Sequence, residues 1–126
     1  MPRIHIVSGS TTLAVELNDS PTAQRLLALL PFESSANRWG QEIYFGTPLA
    51  MQEESDARAE VEVGAVAYWP PGKALCVFWG ATPASRGDDP CAASPVNLVG
   101  KVVGPAAAAA KVKEGGPVRV ERAPAG

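Results

Sequence analysis

Ala65-Val66-Ala67-Tyr68-Trp69, then Pro70-Pro71-Gly72, then Lys73-Ala74-Leu75-Cys76-Val77-Phe78-Trp79-Gly80 is the stretch that decides the fold. Pro-Pro-Gly cannot continue a helix or a central strand, so it separates two elements. In the second run Leu75, Val77 and Trp79 alternate with Ala74, Cys76 and Phe78. Both sets are apolar, so a strand here is buried on both faces. We expect a wall strand, with a barrel interior on one side and a helix on the other, in which Trp79 is buried.

Outward from this pair the elements stay short. Ile4-His5-Ile6-Val7 and Thr12-Leu13-Ala14-Val15-Glu16-Leu17 flank Ser8-Gly9-Ser10-Thr11, which reads as a β-hairpin. A helix follows: Ser20 caps it and Pro21 fits its first position, where an N–H is not needed. Ala23, Leu26, Leu27 and Leu30 form one apolar stripe, and Pro31 ends the helix. Glu42 to Phe45, Val61 to Val63 and Val118 to Glu121 read as further strands, with the acidic stretch Glu53 to Arg58 as an exposed loop. Val96 to Val103 carries Gly100 inside a strand, which marks a bend, a bulge or a close backbone approach. Pro105 to Lys111 is alanine-rich and suits a short helical turn. About seven or eight short strands against one well-signalled helix favour a mostly β barrel or sandwich over a doubly wound sheet.

The 126 residues suit one domain, 1–126, with a flexible tail over 123–126. Gly and Pro, 12 of each, are scattered between elements, as turns in an all-β chain would be. Eleven basic and 13 acidic residues leave a net charge of −2, which gives no field to hold nucleic acid or an anionic membrane. The longest apolar run is too short to span a bilayer, and no apolar leader precedes the first strand, so a cytoplasmic location is expected. Cys76 and Cys91 are expected as reduced thiols. One histidine and two separated cysteines do not compose a zinc site, and no phosphate loop is present, so no metal and no cofactor are expected.

Three segments stand out as a set: Phe32-Glu33-Ser34 with Asn37 to Phe45, then Gly64 with Tyr68 to Gly80, then Pro95 to Val102. Together they resemble the small prokaryotic cyclophilin-like family, over residue 3 to about 122, with Tyr68 to Gly80 the most specific tract. The resemblance implies a closed cyclophilin-like β-barrel of about eight strands, with one or two short helices packed outside. It implies no activity that transfers residue by residue. True cyclophilins bind proline-containing peptides with an arginine–phenylalanine–glutamine constellation, and no matching motif occurs here. Arg38 precedes Trp39, but the phenylalanine and glutamine spacing that should follow is absent.

His5 alternates with Ile4 and Ile6, which reads as an edge or surface histidine rather than a general base. Cys76, in the most buried strand, reads as an inert small hydrophobe. Glu33 and Glu42 flank the turn around Asn37 to Gly40 and are candidates for an acid–base pair across a cleft. The aromatic set is the better candidate. Trp39 and Trp69 adjoin turn residues and suit a barrel rim, where an aromatic wall makes a binding cleft. Arg38, Trp39, Glu42, Tyr44, Trp69 and Lys73 are therefore the expected ligand-binding residues, Arg38 and Lys73 suiting an anionic group. The leading expectation is a binding module presenting an aromatic groove to a small molecule or peptide. The alternatives are an enzyme, either a rearranged prolyl isomerase or acid–base chemistry at Glu33 and Glu42, and a structural or dimerising domain. Monomer and dimer both remain open.

Overall fold

The first hairpin forms as its pattern requires, in a computed structural model that describes residues 2–124. Strands β1 (Arg3–Ser8) and β2 (Thr11–Leu17) pair antiparallel, with Ile4 opposite Val15 and Ile6 opposite Leu13. All four are buried, and Gly9 turns the chain at φ 59. Helix α1 (Pro21–Ala28) starts where Ser20 accepts a hydrogen bond from the Ala23 amide. It ends two residues before the expected stop, because the Leu29 and Leu30 amides already bond back three residues to Leu26 and Leu27.

Beyond α1 come β3 (Phe32–Ser35), β4 (Asn37–Arg38), β5 (Glu42–Gly46), β6 (Arg58–Glu60), β7 (Ala65–Trp69), β8 (Ala74–Phe78), β9 (Cys91–Val103) and β10 (Pro117–Arg122). Pro70–Gly72 and Ala106–Lys111 are 3-10 turns. The strand expected at Val61–Val63 does not form: the strand there is β6, three residues upstream, and Val63 is 57% exposed. The tail expected at 123–126 falls partly outside the described residues; the Ala123 amide still donates to the Arg3 carbonyl at 3.0 Å.

Among the described residues the sheet holds ten strands, not about eight, in the order β3-β10-β1-β2-β9-β7-β8-β5-β4, with β6 on β9. Its two end strands do not hydrogen-bond to each other, so the expected closed barrel is corrected to a curled sheet that is open in its ladder. The ends are β3 and β4, neighbours in sequence with Ala36 alone between them. Ala36 is buried and bonds through both backbone groups to Gly115 and Gly116, so it cannot join either ladder. Side chains bridge the gap instead: the Phe32 and Phe45 rings lie 6.5 Å apart, tilted by 48°.

Two apolar clusters flank β8. Leu75 and Val77 face the curl's interior with Ile43, Phe45, Val66, Tyr68 and the first hairpin. Cys76 and Phe78 face outward, under Val61, Ala92 and Val96. The outer cover of β8 is thus the β6–β9 flap, not the helix. Ala23 and Leu26 of α1 join the interior cluster instead, while Leu27 and Leu30 are half-buried. Trp79 is also half-buried, just past the end of β8. The β7–β9 pairing is irregular between Val66 and Ala67, opposite Gly100, where a side chain would collide with the Glu16 carbonyl.

The loop from Thr47 to Ala57 is held by buried polar groups. The Tyr68 hydroxyl donates to the Leu49 carbonyl at 2.6 Å. Asn97, 1% exposed, donates to the Gln52 carbonyl at 2.9 Å and to Thr22 Oγ1 at 3.0 Å, and accepts from the Glu54 amide at 2.8 Å. Burying an amide side chain is costly unless it is bonded, and here both ends are.

Candidate functional site

Strand alternation decides which side chains meet on the outer face. Ile43 and Phe45 of β5 point inward, so Glu42 and Tyr44 point outward. Register places Glu42 opposite Phe78 and Tyr44 opposite Cys76, and β7 carries Ala67 opposite Cys76 and Trp69 opposite Ala74. Glu42, Tyr44 and Trp69 therefore share one surface of three adjacent strands.

The turn before β5 brings in Trp39. Its amide donates to the Glu42 carbonyl at 2.9 Å, and Gly40 takes a left-handed φ of 63. A Cβ on Gly40 would lie 2.8 Å from Thr82 Cα, so glycine lets this turn press against residues 81–83. The Gln41 amide donates to the Ala81 carbonyl and the Trp79 amide to the Gln41 carbonyl, both at 2.9 Å. Across the gap, Trp69 Nε1 donates to Ser94 Oγ of β9 at 2.6 Å. Ala92 and Ala93 leave the space between these rings unfilled.

The result is a hollow of about 220 Å³ lined by Trp39, Glu42, Tyr44, Trp69, Ala92 and Ala93. Glu42 is only 4% exposed, and its Oε1 has no hydrogen-bond partner. Burial pushes its carboxyl up to about 7, and the Cys76 thiol, as a hydrogen-bond donor, pulls weakly the other way. The Cys76 thiol is itself raised, first by burial and then by the neighbouring carboxylate. Near neutral pH this carboxyl is poised between its two protonation states.

Four of the six expected binding residues line the hollow, and two do not. Arg38 turns to the opposite side of the chain from Trp39, with its guanidinium carbon 5.0 Å from the Trp79 ring centre. Lys73 is exposed beyond the 3-10 turn in a left-handed conformation, φ 49, and its carbonyl accepts from Thr47. Glu33 is exposed and ion-paired with Arg119 at 3.5 Å, so the Glu33–Glu42 acid–base pair is not assembled. His5 lies between Ala14 and Glu121 in the β1 ladder, away from this surface. Among the described residues, no three His, Cys, Asp or Glu side chains gather as a metal site. Ala92, Ala93 and Ser94 went unnoticed in the sequence because β9 starts five residues earlier than its apolar pattern, at Cys91.

The profile of the Cyclophilin-like family matches residues 2–121. The hypothetical protein AF2241 from Archaeoglobus fulgidus, solved in solution, is 41% identical with a TM-score of 0.80, over 97% of this chain and 95% of its own. McbB, solved in complex with tryptophan, is 21% identical with a TM-score of 0.69, over 98% of this chain but only 45% of its own. At that identity the likeness to McbB shows the fold alone. No curated protein matches the chain. The family match over nearly the whole length, with a 41% identical relative of the same fold, is what the sequence resemblance implied: the chain belongs to the Cyclophilin-like family.

Proposed function

We propose that this protein is a binding module that takes a small molecule in the hollow walled by Trp39, Tyr44 and Trp69. One observation carries this: Glu42, a buried carboxyl with one oxygen that has no protein partner, stands in the wall of an unfilled space between three aromatic rings. Aromatic plugs of a core pack against one another and leave no such space. A buried, unsatisfied polar atom costs stability, and a ligand able to bond it offsets that cost. The volume, about 220 Å³, lies below the range for drug-sized ligands of about 300–1,000 Å³. It suits a group the size of one large side chain.

The structure-only alternative, a dimerising or scaffolding domain, has no use for the unpartnered oxygen. Acid–base catalysis needs a second group in reach, and the one expected, Glu33, is engaged with Arg119. Nor does any arginine line the hollow, so positioning of a proline amide by a guanidinium has no support there. The test is a titration of small aromatic compounds followed by the indole N–H signals of the three tryptophans. Binding should move Trp39 and Trp69 and leave Trp79 in place, and Trp69→Ala should fold yet bind at least about tenfold more weakly. Compounds that move Trp79 alone, or none of the three, refute the proposal.

A further inference from the structure

The charge inventory of the hollow points to the kind of ligand. None of the six lining residues is basic, and the basic residues expected beside it, Arg38 and Lys73, lie elsewhere. The ion pairs among the described residues use Glu16, Glu33 and Glu121, never Glu42. Glu42 is thus a buried carboxyl whose counter-charge the protein does not supply. Trp69 has its N–H committed to Ser94, so it offers the hollow ring surface alone. Aromatic rings attract cations through their quadrupoles, most strongly when water is excluded. A carboxylate among such rings repels anions and attracts cations.

Resting on the binding reading above, we infer that the hollow takes a small organic cation, an ammonium or amidinium group on a short apolar body, with its positive charge against Glu42. The cation lies against the Glu42 carboxylate while its apolar stem packs against Trp39, Tyr44 and Trp69. A carbonyl-bearing ligand would need the protonated carboxyl as donor and would gain nothing from the rings' charge preference. The titratable groups facing Glu42 are Tyr44 on its own strand and Cys76 on β8; Phe78, Trp39 and the two alanines bring no charge. Ligand binding therefore draws Glu42 into its ionised state and releases a proton.

The probes are benzylammonium, benzyl alcohol and benzoate, closely matched in size and differing in charge. They are titrated against the wild type and Glu42→Gln, with the indole signals of Trp39 and Trp69 as the readout. Benzylammonium should bind about tenfold or more tightly than benzyl alcohol, as charged hydrogen bonds allow, and benzoate should not bind. Glu42→Gln should remove that preference, bringing benzylammonium down to the level of benzyl alcohol measured on the same variant. In the wild type, benzylammonium affinity should fall about tenfold from about pH 8 to about pH 6 as the carboxyl protonates, while the amine stays charged. If Glu42→Gln does not fold, the charge preference of the wild type decides, together with proton release measured calorimetrically in two buffers. Benzyl alcohol or benzoate binding as tightly as benzylammonium overturns the cation and leaves the binding cleft standing. If no probe moves Trp39 or Trp69, both fall.

Discussion

The guanidinium of Arg38 stacks on the Trp79 ring at 5.0 Å, and its Nη1 donates to the Ala110 carbonyl at 3.2 Å. One residue on, Trp39 walls the hollow on the other side of the chain. Arg38 thus ties the end of β4 to the 3-10 turn at Ala106–Lys111 and does not line the hollow. Arg38→Ala should cost about 0.5–1 kcal/mol, the worth of an exposed cation–π contact. Trp79 emission should become more accessible to quenchers, with ligand affinity unchanged. A variant that folds normally but loses ligand binding would show that Arg38 does reach the ligand.

Glu42 should make stability depend on pH in the direction opposite to an ordinary paired carboxylate. Its folded value, about 7, lies above the ordinary 4.5, so the folded state holds its proton more tightly than the unfolded state. Below about pH 4.5 both states are protonated and there is no penalty. Between about 4.5 and 7 the unfolded state ionises first, and stability is lost, by up to about 3 kcal/mol. Glu42→Gln cannot ionise. The difference in denaturation free energy between variant and wild type should therefore grow in the variant's favour across this window. A difference that is flat with pH would show that the carboxyl titrates normally.

The leucine stripe of α1 should prove unequal. Leu26 is fully buried in the interior cluster, whereas Leu27 is half-buried beside it. Leu26→Ala should cost about 2–5 kcal/mol and Leu27→Ala distinctly less. Chemical denaturation of both variants decides it, and a larger loss for Leu27 would place the helix in a different rotation.

Asn97→Ala should loosen one segment. It strands the Gln52 carbonyl and the Glu54 amide and takes one donor from Thr22 Oγ1, which keeps its bond to the Glu54 carboxylate, and should cost about 2–3 kcal/mol. Amide exchange should accelerate over Met51 to Ala57 more than in β1 or β2. Uniform acceleration would mean that the loop opens only with the whole domain.

Much of this was legible because local chemistry and tertiary burial agree. Ser20-Pro21 announces a helix start, Ser8-Gly9 a hairpin turn, and the Ala74–Phe78 alternation a strand buried on both faces. Gly100 announced a bend, a bulge or a close approach, and the structure has both an irregular pairing there and the close approach of the Glu16 carbonyl. The strands that went unread, β3, β4 and β6, are two to four residues long and carry Glu33, Ser34, Ser35, Asn37, Arg38 and Glu60. Their pairing is dictated by β10, β5 and β9, which single-strand periodicity does not reveal. The site was half legible for a similar reason. Adjacent aromatics at turns mark a rim, but whether Arg38 or Trp39 faces it depends on the phase of a two-residue strand. Glu42 appeared as one of two carboxylates; its isolation follows from register with β8 alone.

The order of the sheet has a consequence for how the chain is made. β10 lies between β1 and β3, so Val120 pairs with Ile6 on one side and with Phe32 on the other. Until a ribosome has released residues 117–122, two strands made early each show a bare row of amides and carbonyls. Such rows are templates for another chain. Pairing across so long a sequence separation is also slow, since the intervening loop must close first. Nascent or prematurely terminated chains should therefore be more aggregation-prone than the finished chain.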